Sequence, residues 1–362
     1  MNYTQHNPLP IPEVGPTERV PVSMDSIFDW EYALRRQNLL ALYEKGKASS
    51  WNASDLAWET EVDFAKKTRD MLGAGAGEIF NQLLNPPHKL EPEVSVELNL
   101  NITAWMLSQF LHGEQGALLA TAQIVNTVPW TEAKFYASSQ VIDEARHVEV
   151  YRRYLTEKLP YAFPVNPHLH TLLDDIIRES RWDMTYLGMQ IMVEGLALAA
   201  FAMMHFMNPH EKLLHQITSL VTRDEARHVA FGVLSLEEVY RDMTATELRE
   251  REEFVIDAAL LMRDRLLMHE VWDRLGYDVD LWVNWSLETP FMQGFRQLLF
   301  AKIVPNLKRL GLLTPRVREA FQKIGVLQFE SLPDSTQDET VSLPPAILQF
   351  FGNIAAPISA AG

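Results

Sequence analysis

One pentapeptide, DEARH, occurs twice in this chain of 362 residues, at 143–147 and again at 224–228. Each copy lies in a long segment with helical periodicity and few interruptions by Gly or Pro. On a helix, the Glu and the His of one copy are separated by about 60° around the axis and about 4.5 Å along it. Each Glu-x-x-His pair can therefore point at one metal ion.

Two further glutamates lie in stretches that are otherwise apolar or built from small residues. Glu114 is found in SQFLHGEQGALLATA, and Glu194 is found in GMQIMVEGLALAAFAMM. Burying a lone carboxylate in such a helix is costly unless it has a partner. A metal ion is the simplest partner for both.

The spacing of the glutamates predicts how they meet. Glu114 and Glu144 are 30 residues apart (144 − 114), and Pro129 lies near the midpoint. The lone glutamate of the second half and the Glu of the second DEARH copy are 31 apart (225 − 194), with Pro209 near the midpoint. Two antiparallel helices joined at each proline would place both glutamates at one height. Two such hairpins predict a four-helix bundle with four Glu and two His at its centre.

The rest of the chain predicts additional helices around this bundle, in one all-α domain. Strand signals are nearly absent. We expect an extended arm at 1–24, a single helical domain at 25–330 with the metal-binding bundle at 94–241, and an irregular tail at 331–362. The helices are predicted at 24–46, from about 54 to the glycine-rich 73–77, 94–127, 131–158, 171–207 with a break near Ser180, 210–241, 246–275, 289–310 and 315–325.

The composition narrows the chemistry. The chain has no cysteine, which excludes disulfides and thiolate ligands. Carboxylates and imidazoles suit iron or manganese. A net charge of −16 argues against nucleic acid as a partner. The polar, proline-rich start does not resemble a secretion signal, and no apolar run approaches the roughly 18 residues of a membrane span. We therefore expect a soluble cytoplasmic protein.

Each DEARH copy also supplies candidate supporting groups. Its Asp lies four residues before its His, a spacing that lets the carboxylate accept the outer N–H of the imidazole. Its Arg can neutralise buried carboxylates. The four residues are Asp143, Arg146, Asp224 and Arg227.

These motifs resemble the ferritin-like superfamily of di-iron carboxylate proteins, specifically its oxygen-activating branch. That branch includes the bacterial multicomponent monooxygenase hydroxylases, the ribonucleotide reductase small subunit and, more distantly, the arylamine N-oxygenases. The resemblance covers about residues 94–241. It implies two iron ions, with manganese as an alternative at one or both sites, and some bridging glutamates. The implied ligands are Glu114, Glu144 and His147 for one ion, and Glu194, Glu225 and His228 for the other.

Four positions leave the subfamily open. The N-oxygenases have a seventh ligand, a histidine, where this chain has Val221. The monooxygenase hydroxylases usually have a threonine where Leu198 stands. The reductase small subunit has its radical tyrosine at the position of Tyr151, but its first ligand is normally an aspartate rather than Glu114.

The resemblance implies an enzyme that activates O₂ to oxidise a small organic substrate by hydroxylation, desaturation or N-oxygenation. Electrons would come from an external reductase or ferredoxin, since no flavin, nicotinamide or iron–sulfur motif is present. The alternatives are a radical generator that uses Tyr151, and a ferroxidase or iron-binding protein. Analogy also implies a homodimer through the outer helices. The candidate cavity residues are Phe110, Ala117, Leu118, Tyr151, Met192, Leu198 and Phe231, most of which fit ordinary core packing as well.

Overall fold

The computed structural model describes residues 17–72, 81, 84–208 and 211–337. Within these ranges the chain contains helices and no β-strand, which confirms the predicted all-α class. The helices are α1 Gln37–Ala48, α2 Phe64–Leu72, α3 Pro92–Thr127, α4 Thr131–Glu157, α5 Pro167–Arg178, α6 Trp182–Tyr186, α7 Glu194–Met207, α8 Lys212–Arg241, α9 Ala245–Asp264, α10 His269–Arg274, α11 Val279–Glu288, α12 Pro290–Leu298, α13 Ile303–Arg309 and α14 Pro315–Lys323.

Four of these helices form the central bundle, as the glutamate spacing predicted. Helices α3 and α4 pack along one another and are joined by a short loop that contains Pro129. Helices α7 and α8 pack along one another as the second pair of the bundle, and the turn predicted at Pro209 lies outside the described ranges. Helix α3 has 36 residues and so spans about 54 Å. The bundle is therefore long enough to enclose a site at mid-height, far from either end.

A π-helical segment, Leu187–Val193, joins α6 to α7 directly before Glu194. It is packed closely on both sides. A Cβ added at Gly188 would lie 2.6 Å from Ile176 Cγ1, and one added at Gly232 of α8 would lie 2.6 Å from Gln190 Cβ. Such insertions of one extra residue per turn recur at functional sites. Here the π-helical segment leads directly into Glu194, the first residue of α7.

The helix predicted at 24–46 begins later than the sequence indicated. Residues 24–36 have no helical structure, and α1 starts at Gln37. This segment is attached to the start of α4: Asp29 accepts a 2.8 Å hydrogen bond from Thr131 Oγ1, and Glu132 accepts one of 2.7 Å from the Arg36 N–H. These long-range bonds attach the non-helical segment to α4, so the apolar spacing that indicated a helix was misleading.

Three other helix predictions were wrong in detail. The helix expected from about 54 is a 3₁₀ turn at Ala53–Asp55, followed by a non-helical stretch before α2. The helix expected at 246–275 is interrupted at Met268, which has a left-handed backbone with φ of 55°. The helix expected at 289–310 divides into α12 and α13, and α11 was missed. These breaks depend on packing between helices, which local periodicity does not record.

One buried stretch is long and apolar enough to pass as a membrane span. It runs over Trp182–His205 with a mean hydropathy of 1.7, and 94% of this window is buried inside the protein. The expectation that no apolar run reaches that length was therefore wrong. The stretch is buried inside the protein, as the core helix of a globular fold would be. The division into arm, domain and tail stays a prediction, because residues 1–16 and 338–362 lie outside the described ranges.

Candidate metal centre

Six candidate ligand residues come from the four bundle helices and meet in the interior. Glu114 lies on α3, and the two Glu-x-x-His pairs lie on α4 and α8. Glu194 is the first residue of α7, directly after the π-helical segment. All six side chains are at least 95% buried. The residues are Glu114, Glu144, His147, Glu194, Glu225 and His228.

Their ligand atoms form two overlapping groups, each within 4.8 Å. One group consists of Glu114, Glu144, His147 and Glu225. The other contains Glu144 and Glu225 again, together with Glu194 and His228. Because two glutamates belong to both groups, the arrangement fits two neighbouring metal ions with two shared carboxylates.

Both imidazoles turn Nδ1 toward this centre. His147 Nδ1 lies 3.2 Å from Glu114 Oε2 and 3.1 Å from Glu225 Oε1. His228 Nδ1 lies 3.1 Å from Glu144 Oε1 and 3.5 Å from Glu225 Oε2. Each histidine is therefore closer to the glutamate of the other DEARH copy than to its own, and the two hairpins build one site together.

Several oxygen atoms at the centre have no hydrogen bond. They include both carboxylate oxygens of Glu225 and one oxygen each of Glu144 and Glu194. Unpartnered buried carboxylate oxygens are costly, and divalent cations would satisfy them. Oxygen and imidazole donors are the set that iron and manganese take in proteins. The residues present therefore fit a pair of such ions.

The electrostatics of the bare cluster agree with this interpretation. Burial, followed by repulsion from Glu225, raises the pKa of Glu114 and of Glu194 well above the usual value. Burial alone would lower the pKa of both histidines. The neighbouring carboxylates have the larger effect, so the pKa of His147 and the pKa of His228 are both raised. In the bare cluster the buried carboxyl groups therefore repel one another and favour bound protons, and metal cations could take the place of these protons.

An outer layer of polar groups holds the imidazoles, with a pairing that differs from the prediction. The outer nitrogen Nε2 of His147 faces Asp224 Oδ2 at 3.4 Å, and that of His228 faces Asp143 Oδ2 at 3.3 Å. Each aspartate thus serves the histidine of the other helix. Because Nδ1 of each imidazole is directed at the centre, Nε2 points to the neighbouring helix rather than along its own helix. The prediction that each aspartate binds the histidine of its own DEARH copy was therefore wrong.

The two DEARH arginines bind both aspartates. Arg227 Nη2 donates to Asp224 Oδ1 at 2.7 Å and to Asp143 Oδ2 at 3.3 Å. Arg146 forms an ion pair with Asp143 and lies 3.7 Å from Asp224 Oδ2. Two arginines therefore balance the charge of two aspartates beneath the imidazoles.

Two polar side chains of the site were missed in the sequence. Trp51 donates from Nε1 to Asp224 Oδ2 at 2.6 Å, and its ring stacks near that of His147. Gln140 donates from Nε2 to one oxygen each of Glu144 and Glu194, at 3.0 Å in both cases. Gln140 lies four residues before Glu144 on one helical face, and that spacing was a usable signal. Trp51 comes from a loop with no motif.

Tyr151, the candidate radical residue, is completely buried on α4, the helix that carries Glu144 and His147. Its hydroxyl has no hydrogen-bond partner among the described residues. Burial, followed by the negative charge of Glu114, raises its pKa well above the usual value. Its ring packs against Phe110 and Phe201, with centroids 5.7 and 5.8 Å away. The phenol therefore stays protonated in an apolar setting.

A small cavity of about 20 Å³ adjoins the ligands. Only Phe110 and Ala117 of the seven predicted cavity residues line it; Leu118, Tyr151, Met192, Leu198 and Phe231 do not. The full lining is Gln109, Phe110, Gly113, Glu114, Ala117, Val193, Glu194, Ala197, Phe201, Glu225 and Arg265.

No protein-family model and no curated protein matches the chain. Among solved structures, it is similar to a dimanganese(II) NrdF of Streptococcus sanguinis, with 15% identity, a TM-score of 0.49, and coverage of 81% of this chain and 98% of the other. It is also similar to an R2-like ligand-binding oxidase with a Mn/Fe cofactor, with 19% identity, a TM-score of 0.42, and coverage of 72% and 92%. The manganese and iron belong to those proteins.

Proposed function

We propose that this protein binds two ions of iron or manganese and uses them to activate O₂ for the oxidation of a small organic substrate. The observation that carries the proposal is the pair of overlapping ligand groups, which share Glu144 and Glu225 and leave carboxylate oxygens unpartnered. When bound, such a metal pair supplies the electrons and the open coordination positions that reduction of O₂ requires.

The protein's own residues would position the ligands and keep the site dry. Asp224 and Asp143 hold the outer nitrogens of the two imidazoles, which fixes Nδ1 toward the centre. The side-chain amide of Gln140 donates to Glu144 of the first hairpin and to Glu194 of the second, and so holds both carboxylates in place. The apolar side chains of Phe110 and Phe201 on the cavity wall exclude bulk water. These features restrict the oxidising chemistry to a molecule that enters the cavity.

The first experiment is metal analysis followed by reaction with O₂. Protein loaded with Fe(II) without oxygen should contain about two ions per chain and should consume O₂ when mixed with aerated buffer. Glu144→Gln removes a charge from both ligand groups, so the metal content should fall below one ion per chain. Glu149→Gln is the matched control, because Glu149 lies on the same helix but is exposed.

Two outcomes would refute the proposal. Either wild-type protein stays free of metal under these conditions, or the loaded protein does not react with O₂. Uptake of many more than two ions per chain would instead favour the ferroxidase alternative. Location in the cytoplasm and an external electron donor remain predictions from the sequence, and a homodimer remains a prediction from the resemblance.

A radical role for Tyr151 is the second candidate, favoured by its buried and unpartnered hydroxyl. Burial among aromatic rings would shield a phenoxyl radical from solvent. Electron paramagnetic resonance after exposure to O₂ should then show a tyrosyl signal that is absent from Tyr151→Phe. Oxygen consumption without such a signal would leave the oxidase proposal standing alone.

A further inference from the structure

Arg265 places a positive charge on the wall of the cavity beside the metal centre. It is the first residue of the 3₁₀ turn Arg265–Leu267 that follows α9, and the left-handed Met268 ends that turn. The side chain is only 6% exposed. It lines the same cavity as Glu114, Glu194 and Glu225. Arg265 thus lines the same small cavity as three ligand glutamates, although no carboxylate lies near enough to its guanidinium to change its pKa.

The guanidinium of Arg265 has no partner among the residues that the structure describes. Its Nε is buried without a hydrogen bond. Burial lowers its pKa to about 10, and no neighbouring carboxylate opposes this effect. Other buried arginines differ: Arg251 forms a double ion pair with Asp183, and Arg296 donates to Ser286 Oγ at 3.2 Å. Arg265 therefore carries an unusual and costly unpaired charge.

The metal centre does not need this charge. The four ligand glutamates carry four negative charges, which two divalent ions would balance. Asp143 and Asp224 are already balanced by Arg146 and Arg227. With both ions bound, Arg265 is one positive charge in excess. An anion that enters the cavity would complete the balance.

We propose that Arg265 binds the carboxylate group of an organic acid that is the substrate or a ligand of this site. The inference rests on the proposed function and names its substrate class. One excess positive charge is balanced by an anion with a single negative charge. A guanidinium group can donate two parallel hydrogen bonds to a carboxylate, which fits this charge and its shape. The walls around it are apolar, with Phe110 and Phe201 among them. They favour a hydrocarbon body over a second charged group.

The size of the cavity limits this acid. About 20 Å³ leaves room for little more than one water-sized group, so the carboxylate alone would fill it and the chain of the acid would extend beyond it. Gly113 marks the side on which more space is present, because a Cβ added there would meet no atom within 4 Å. Gly113→Leu should therefore weaken binding of longer acids more than that of short ones.

The test compares an acid with a neutral molecule of the same shape. Protein loaded with two Mn(II) per chain and kept free of oxygen is titrated with propionate and with propionamide by calorimetry. Wild-type protein should bind propionate about 10-fold to 100-fold more tightly, the range expected for hydrogen bonds to a charged group. Arg265→Gln should lose this preference, and Arg265→Lys should keep part of it. Arg263→Gln is the control, because Arg263 is paired with Asp264 and does not line the cavity.

A second readout separates this role from a structural one. Replacing an unpartnered buried charge by an apolar side chain should stabilise the fold, so Arg265→Met should melt at a higher temperature than wild-type protein. A lower melting temperature would show that Arg265 supports the fold and would overturn the inference. Equal binding of acid and amide by wild-type protein would overturn it too. So would a preference that survives in Arg265→Gln, because the metals alone would then bind the acid.

Failure of the inference is distinguishable from failure of the proposed function. Metal content and O₂ consumption are measured on the same preparations. Protein that takes up no metal refutes the proposed function. Metal-loaded protein that reacts with O₂ but shows no preference for propionate refutes only the role of Arg265.

Discussion

Two glycines of the bundle should respond in opposite ways to the same substitution. Alanine is favoured over glycine by about 1 kcal/mol inside a helix. A Cβ at Gly113 of α3 would meet nothing within 4 Å, so Gly113→Ala should gain most of this amount. A Cβ at Gly232 of α8 would lie 2.6 Å from Gln190 Cβ, an atom next to the backbone that cannot easily move aside. Overpacking of this kind costs about 1–3 kcal/mol.

The two variants should therefore differ by about 1–3 kcal/mol in the free energy of unfolding, with Gly232→Ala the less stable. Urea unfolding followed by circular dichroism measures this difference. Gly232→Ala should also weaken metal binding, because it pushes on the π-helical segment that leads into Glu194. Chelator competition measures that effect, and Gly113→Ala serves as its control. Equal stabilisation by both substitutions would refute the close packing between α8 and the π-helical segment.

Three substitutions and removal of the metal test the outer layer, the packing and the site itself. Asp224→Asn weakens the support of His147 and should reduce metal affinity about 10-fold to 100-fold, measured by chelator competition. Trp51→Phe removes one hydrogen bond to the same carboxylate and should reduce stability by about 1–2 kcal/mol in urea unfolding, with a smaller loss of metal affinity than Asp224→Asn. Arg251→Met leaves Asp183 buried without its partner and should cost about 3–5 kcal/mol, much of which a second change, Asp183→Leu, should restore. Removing metal with a chelator should lower the melting temperature, because the buried glutamates then repel one another.

The central site was largely predictable because its signals are local. Glu-x-x-His spacing places two ligands on one helical face whatever the rest of the fold does. The distances between the glutamates and the turn prolines fixed the heights at which the helices meet. Residues such as Glu114 were conspicuous because a charge in an apolar helix requires a partner. The four long helices followed from the same periodicity.

The features that the sequence did not reveal depend on contacts between distant segments. Asp143 pairs with His228 across the bundle because the rotation of an imidazole is set by the neighbouring helix. Trp51 and Arg265 come from a loop and a short turn whose positions follow from tertiary packing. The segment 24–36 is not helical because it binds the start of α4, although its own apolar spacing predicted a helix.

The exchange of aspartates between the two helices bears on how the protein would acquire the proposed metal ions during synthesis. The first hairpin leaves the ribosome with Glu114, Glu144 and His147, but the carboxylate that orients His147 belongs to the second hairpin. The shared ligand Glu225 also arrives later. A half-made chain therefore offers an incomplete and poorly oriented set of donors. Selective uptake should begin only once both hairpins have docked, which would protect the nascent chain from capturing the wrong ion.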